Sequence, residues 1–235
     1  MNWKDLQKEM CGRADKDYTA FSLPLAKTKY KMLGVRLPIL KGIAKRERIH
    51  ATKLLNEAVF DTFEDVMLFG FLINLESSNT NQFFERIEKF LNVADSWSHI
   101  DSVTASLKRI KSLRTEFLQT FIPLAKHTKT FHKRFLVVAL LNYFLDDEYF
   151  MQTLGIVQTV EDGDYYVDMA LAWLLSVAMS KNFELTMTKI TQGSYSNSVI
   201  KKALQKGIES ERIDVQSKQI LKNMRKKVLL HIESN

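Results

Sequence analysis

The sequence has 235 residues, of which 46% are hydrophobic and 26% charged, a composition typical of a folded protein with one large or two small domains. Eight Gly and three Pro argue against an all-β protein with many tight turns, and no turn-flanked run alternates apolar and polar side chains as a strand does. The single cysteine, Cys11, excludes an internal disulfide framework and suits a reducing compartment. We therefore predict an all-α protein.

The net charge of +7 favours a polyanionic partner, most often nucleic acid, although many basic proteins carry only solvated lysine faces. The cations are clustered in residues 27–48, in residues 108–134 and near the C-terminus, ending at Arg225-Lys226-Lys227. Each of the first two clusters contains a single acid, Glu47 or Glu116, whereas residues 146–168 carry seven acids and no Lys or Arg. From charge alone, both a nucleic-acid surface and a solvated lysine face stay open.

The N-terminal third is predicted to contain four helices separated by an irregular segment. The first helix covers residues 3–10 and ends near Gly12, and residues 13–37 are the least regular part of the chain. Pro24 interrupts an apolar stretch there, so residues 18–32 are predicted to form a loop or a short turn. Pro38 begins a helix over residues 37–49, a second follows over 52–59, and Asp61 or Thr62 caps an apolar helix over 63–75.

From residue 80 onward the pattern repeats as pairs of helices. The predicted pairs are 80–93 with 97–110, 115–125 with 131–144, 148–159 with 165–179, and 183–190 with 198–208, followed by a long basic helix over 213–231. A paired unit that recurs every 35–45 residues is typical of HEAT- or armadillo-like solenoids, in which the second helices line a concave surface. The predicted fold is therefore an α-α superhelix, with residues 1–235 forming a single domain.

Four residues stand out at the interval of this repeat. Trp97 and Asp101 lie four residues apart, so they share one face of their helix. Arg134 and Trp173 follow at intervals of 37 and 39 residues, in helices at equivalent positions of successive units. Taken singly, each tryptophan is explained as a core residue, and Arg134 as a side chain that extends from a buried helix to solvent. Taken together, they predict a site in one groove.

The motifs around these residues resemble a known family. They are Leu33-Gly34-Val35-Arg36-Leu37-Pro38, then Ser96-Trp97 followed by Asp101, then Lys133-Arg134 at the start of an apolar helix, and Ala170-Leu171-Ala172-Trp173 with Ser180-Lys181-Asn182 after it. In order and spacing the sequence resembles the bacterial DNA alkylation repair enzymes of the AlkD type, which are HEAT-like-repeat alkylpurine DNA glycosylases. The resemblance covers nearly the whole chain.

The resemblance implies hydrolytic release of cationic N3- or N7-alkylated purines from duplex DNA. Asp101 matches the catalytic carboxylate of the family, and Trp97 and Trp173 match the aromatic walls around it. Arg134, with Lys133 beside it, matches the arginine that contacts a DNA phosphate. The implied chemistry needs no metal and no cofactor, and the five His residues show no metal-ligand spacing with Cys or carboxylates.

One segment departs from the family pattern. In well-known members, an unbroken helix that helps to hold DNA precedes the Leu-Gly-Val element, whereas here Pro24 breaks that segment, as in a divergent branch lacking part of this helix. Lys27, Lys29, Lys31 and Arg36 are candidate DNA-binding residues, and the run Lys27 to Lys31 either compensates for the missing helix or is a solvated loop. The alternative function is a non-catalytic HEAT-like-repeat protein that binds a nucleic-acid structure or a protein partner. A third is an adaptor scaffold whose charge is incidental.

The first residues lack the apolar core of a signal peptide, and the longest apolar windows, residues 135–141 and 169–175, are far shorter than the roughly 20 residues that span a bilayer. We therefore expect a cytoplasmic protein without membrane contact. Because the ends of helical solenoids are usually capped, we expect a monomer. The sequence leaves open which alkyl lesion is removed.

Overall fold

The computed structural model describes the backbone of residues 1–233 and the side chains up to residue 228. Within this range the secondary structure consists of fourteen α-helices and three short 3-10 helices, and its only β-type pairing is one isolated bridge between Lys31 and Thr62. The prediction of an all-α protein is confirmed.

The predicted helices agree with the observed ones to within a few residues over most of the chain. The α-helices are α1 Trp3–Gly12, α2 Lys16–Ala26, α3 Leu37–Arg46, α4 Ala51–Glu57, α5 Phe63–Ile73, α6 Thr80–Val93, α7 Trp97–Thr104, α8 Arg114–Phe121, α9 Thr130–Tyr143, α10 Phe150–Val157, α11 Tyr165–Lys181, α12 Phe183–Gln192, α13 Asn197–Glu209 and α14 Val215–Glu233. The 3-10 helices are Arg48–His50, Lys108–Ser112 and Ile122–Lys126. The last two occupy the C-terminal parts of the helices predicted over residues 97–110 and 115–125.

Local capping determines where several helices begin. Reciprocal hydrogen bonds between the N-cap residue and the third helical residue form at three starts, namely Asn2 with Asp5, Thr62 with Asp65, and Asn79 with Gln82. Such a capping box satisfies backbone N–H groups that have no partner within the helix. Thr62 is one of the two predicted caps, and its helix, α5, is buried along its whole length.

The prediction that residues 18–32 form a loop or short turn is wrong for their first half, which belongs to the helix α2. Pro24 lies only two residues before the end of α2, so its missing N–H removes a single backbone hydrogen bond. Asp15 caps the start by accepting the Tyr18 N–H, and Lys27 ends the helix in the left-handed conformation, its N–H donating to the Leu23 carbonyl over 3.2 Å. A helix therefore precedes the Leu33-Gly34-Val35 element here too, and the reason for placing the chain in a branch without it is removed.

The backbone contacts divide the chain into two compact units, residues 1–113 and the residues from 114 onward. In the first unit α5 is central and packs against α3, α4, α6 and α7. Its Gly70 allows the close approach of α7, because a Cβ at that position would lie 2.4 Å from a methyl group of Val103.

In the second unit α11 is central and packs against α9, α12 and α13, and α13 packs in turn against α14. Within this unit α9 packs against α11 and α11 against α13, and within the first unit α3 packs against α5 and α5 against α7. Contact between alternate helices is typical of stacked helix pairs, so the all-α fold agrees with the predicted helical-repeat superhelix. That residues 1–235 form a single domain stays a prediction.

Two further observations concern the described residues alone. No helix among them combines the length and the apolar character needed to cross a bilayer. His, Cys, Asp and Glu side chains of the same residues form no cluster of three that could hold a metal ion.

Candidate functional site

The helix α7 carries the predicted tryptophan–carboxylate pair. Trp97 is its first residue and Asp101 follows one turn later, and both side chains are half-buried. Ser96 caps the helix, since its Oγ accepts the Ser98 N–H over 3.2 Å. The helix thus presents an aromatic ring and a carboxylate on one partly accessible face.

The ring of Trp97 is fixed by the C-terminal end of α2. The indole N–H of Trp97 donates to the Leu25 carbonyl over 2.9 Å, and the Ser96 hydroxyl donates to the Ala26 carbonyl over 2.8 Å. The last carbonyls of a helix have no partner within it, so these two side chains satisfy groups that would otherwise need water. The same bonds hold the indole in one orientation and stabilise the end of α2.

Asp95 and His99 fix the start of α7 through contacts with neighbouring segments of the first unit. The Asp95 carboxylate accepts the Thr28 hydroxyl over 2.6 Å and the Lys29 N–H over 2.8 Å, and its Oδ1 lies 3.5 Å from Nδ1 of the buried His99. Burial alone raises the pKa of Asp95, but the nearby His99 ring and the hydrogen bonds from the Thr28 hydroxyl and the Lys29 N–H together hold it below its ordinary value. His99 stacks on Phe63 with ring centroids 4.1 Å apart, and its Nε2 lies 3.1 Å from the Phe63 carbonyl.

Glu64 on α5 explains the Leu33-Gly34-Val35 element in physical terms. Its carboxylate is 2% exposed and accepts the backbone N–H groups of Leu33, Gly34 and Val35 at 3.0, 2.8 and 3.2 Å. Burial raises the pKa of Glu64, and these backbone hydrogen bonds oppose that shift. Gly34 has a φ of 84°, and a Cβ there would lie 2.2 Å from the Asp15 carbonyl oxygen. This position therefore requires glycine.

A cavity of about 190 Å³ lies next to Trp97 in the first unit. Its walls are mostly apolar and include Tyr18, Phe21, Leu25 and Met67 as well as Trp97. Phe21 is 68% exposed at its rim. The helix α2 thus presents apolar rather than basic side chains beside Trp97.

The four cations predicted to bind DNA in this unit all lie on the surface, and they are Lys27, Lys29, Lys31 and Arg36. Arg36 forms an ion pair with Asp15 over 3.0 Å, and its guanidinium lies 4.7 Å from the centre of the Tyr18 ring. Exposure makes a DNA contact feasible for each of them, and their role stays a prediction.

The second unit carries Lys133 and Arg134 in the first turns of α9. Arg134 is only 6% exposed, and its Nη1 donates to the Tyr166 carbonyl in the first turn of α11 over 2.5 Å. Lys133 is half-buried. Arg134 therefore has a clear structural role in joining α9 to α11, besides the predicted phosphate contact.

Two stacked histidines flank this pair of cations. The rings of His127 and His132 are nearly parallel, with centroids 4.2 Å apart, and Nδ1 of His127 accepts the Lys129 N–H over 3.0 Å. Burial, together with the charges of His127 and Lys129, lowers the pKa of His132 to about 4. His132 therefore stays neutral at physiological pH.

Trp173 on α11 is 37% exposed although Ala172 and Leu174 beside it are fully buried. The alternative that Trp173 is a core residue is therefore wrong. Trp97 and Asp101 share one face in the first unit, whereas Arg134 and Trp173 belong to the second, and the expectation that all four face one groove stays a prediction.

The model of the DNA alkylation repair enzyme family matches residues 6–205. The chain belongs to this family. No curated protein matches the sequence.

As a member of the DNA alkylation repair family, the chain is an enzyme of DNA alkylation repair. The matched residues include all of α2 to α12 and most of α1 and α13, while α14 begins beyond them. The resemblance found in the sequence is confirmed at the level of the family.

Sequence reasoning missed three residues that position the candidate site. Asp95 and His99 lie four residues apart around the cap of α7, a spacing that signals a side-chain contact on a helix. Glu64 is a carboxylate at the start of a helix that is otherwise almost entirely apolar, which signals a buried acceptor with dedicated donors.

Proposed function

We propose that this enzyme hydrolyses the N-glycosidic bond of cationic N3- or N7-alkylated purines in duplex DNA. The single observation that carries the proposal is the pair of Trp97 and Asp101 one turn apart on α7, half-buried, with the indole held by the Leu25 carbonyl. Membership of the DNA alkylation repair family supports it.

The reaction needs only modest catalysis by the protein because alkylation of the purine already weakens the N-glycosidic bond. A purine alkylated at N3 or N7 carries a positive charge, and when the bond between its N9 and the sugar C1′ breaks, the electron pair stays on N9 and the base leaves neutral. Positive charge then develops on the sugar, as in the oxocarbenium-like transition state of glycoside hydrolysis. The Asp101 carboxylate stabilises that charge and accepts a proton from the water that attacks C1′.

The two tryptophans are the proposed aromatic contacts of the DNA. An indole face attracts a nearby cation by on the order of 0.5–2 kcal/mol, with the larger value where water is excluded. Trp97 is held in a fixed orientation by its N–H, and Trp173 offers an exposed face on α11. We propose that Trp97 lies against the sugar beside Asp101 and that Trp173 contacts the DNA through its own exposed face, and neither contact requires a metal or redox group.

Lys133 and Arg134 are the proposed phosphate contacts. A guanidinium binds phosphate in a fixed geometry, whereas an ammonium acts as a mobile point charge. Because Arg134 also binds the Tyr166 carbonyl, Arg134→Ala should lower the free energy of unfolding as well as DNA affinity. Lys133→Gln should lower DNA affinity alone.

The test is release of 3- or 7-methylpurine from N-methylated duplex DNA, measured by chromatography. Wild type should release base, and Asp101→Asn should do so at least about 100-fold more slowly, the scale on which loss of one transition-state contact acts. Ser102→Ala, at the next position of α7, is the matched control and should keep full activity. Thermal melting followed by circular dichroism checks that each variant folds.

The alternative of a non-catalytic binding protein makes a different prediction in the same experiment. It predicts salt-dependent DNA binding without base release, and no difference between wild type and Asp101→Asn. Either result would overturn the glycosylase proposal.

A further inference from the structure

A cleft of about 620 Å³ opens beside Trp173, within the second unit. It lies where the C-terminal ends of α9 and α13 meet α11, and we call it the Trp173 cleft. Its lining includes Asn142, Trp173, Ser176, Ser180, Lys206 and Arg212.

Three of the polar side chains in the Trp173 cleft direct their hydrogens at the protein backbone. The Ser176 hydroxyl donates to the Trp173 carbonyl over 2.8 Å, and the Ser180 hydroxyl donates to the Val177 carbonyl over 2.7 Å. The Asn142 amide likewise donates to the Val138 carbonyl over 2.8 Å. An anion in the cleft must therefore rely mainly on other donors.

Lys206, Ser210 and Arg212 supply those donors at one end of the cleft. Lys206 is half-buried and Arg212 exposed, and neither forms an ion pair with any described residue. The Ser210 hydroxyl accepts the Arg212 N–H over 3.3 Å, which leaves its own hydrogen for a further acceptor. Two cations and a hydroxyl beside an exposed indole match a sugar–phosphate chain, in which a sugar lies on the ring and phosphates meet the cations.

We propose that the Trp173 cleft holds the backbone of duplex DNA, with Lys206 and Arg212 on successive phosphates and Trp173 against the sugar between them. This inference rests on the proposed function, because it takes DNA as the molecule that Trp173 contacts. It extends the phosphate contacts from α9 to the end of α13, where residues 206–212 lie beyond the part of the chain that the family model matches.

Glu209 allows a second, independent test of the proposal. Its carboxylate lines the same cleft and accepts the Gln205 amide, so one negative charge faces the anion. Removing that charge should strengthen DNA binding, an effect that misfolding cannot produce.

The experiment measures fluorescence anisotropy of a labelled duplex carrying a tetrahydrofuran abasic analogue, titrated with full-length protein between 50 and 200 mM salt. The variant Lys206→Gln/Arg212→Gln should bind more weakly, and its slope of log K against log salt should be shallower by roughly 1.8, because each lost phosphate contact removes about 0.9. The control Lys201→Gln/Lys222→Gln removes the same charge from the same unit outside the cleft and should keep the wild-type slope. Equal slopes for the two double variants would overturn the proposal.

Glu209→Gln should tighten binding about twofold to threefold at 100 mM salt, while Glu184→Gln on α12 removes an exposed acid outside the cleft and should leave the affinity nearly unchanged. Equal effects of the two substitutions, or no DNA binding by wild type, would also overturn the proposal. Base release is followed on methylated DNA in parallel. If wild type binds with the expected slopes but releases no base, the glycosylase proposal fails while the assignment of the Trp173 cleft stands.

Discussion

Mild acid should destabilise this protein through His132. The side chain is 7% exposed, stacks on His127, and has its pKa lowered from 6.5 to about 4, mainly by burial. The unfolded chain, in which this histidine keeps its ordinary pKa, therefore binds a proton more readily than the folded one. Stability contributed by the neutral ring is present above pH 6.5 and is lost as the pH falls toward 4.

The two pKa values give the size of the effect. At pH 5 the ring is mostly protonated in the unfolded chain and mostly neutral in the folded one, which lowers the free energy of unfolding by about 2 kcal/mol, against roughly 0.2 kcal/mol at pH 7. In urea denaturation followed by circular dichroism, wild type should therefore lose roughly 2 kcal/mol more than His132→Gln between pH 7 and pH 5.

The exposed His50 provides a matched control, because His50→Gln removes a histidine without removing a buried one. This variant should follow wild type across the pH range. If His132→Gln loses stability as steeply as wild type and His50→Gln do, His132 titrates alike in both states and the reasoning is refuted.

Three other substitutions test the contacts around α7 and the Leu33-Gly34-Val35 element. Gly34→Ala should cost roughly 2–4 kcal/mol of stability in urea denaturation, because it forces a non-glycine residue to positive φ and places a methyl against the Asp15 carbonyl; an unchanged midpoint would contradict this. Trp97→Phe keeps a ring but removes the hydrogen bond to the Leu25 carbonyl, so it should lower the free energy of unfolding by about 1 kcal/mol and slow base release. Equal rates of base release by wild type and this variant would argue against the fixed indole. Asp95→Asn should be less stable than wild type at pH 7, and the difference should shrink as the pH falls below the ordinary pKa of 3.8. The reason is that the lowered pKa of Asp95 stabilises the folded state only when the carboxyl is ionised. A difference in stability that stays constant with pH would count against this assignment.

Most helix positions could be predicted from the sequence because the signals that set them are local. Thr62 and Asn79 cap their helices through residues three positions away, and the apolar period of each helix is visible in a window of about a dozen residues. The predicted break at Pro24 is wrong because the contacts that stabilise this end of the helix are not local. The loss of one backbone hydrogen bond is a local effect, whereas the two bonds that Ser96 and Trp97 make to the end of α2 come from residues about 70 positions away.

The candidate site likewise combines features that the sequence determines with features that depend on tertiary packing. The spacing of Trp97 and Asp101 places them on one helical face whatever surrounds the helix, so the sequence alone determined that pair, along with the all-α repeat and the family resemblance. Only the tertiary structure decided that Arg134 is buried against the Tyr166 carbonyl while Trp173 is exposed between buried neighbours. Exposure and partners depend on which distant helix packs against a side chain, and that information is not contained in the few residues around it.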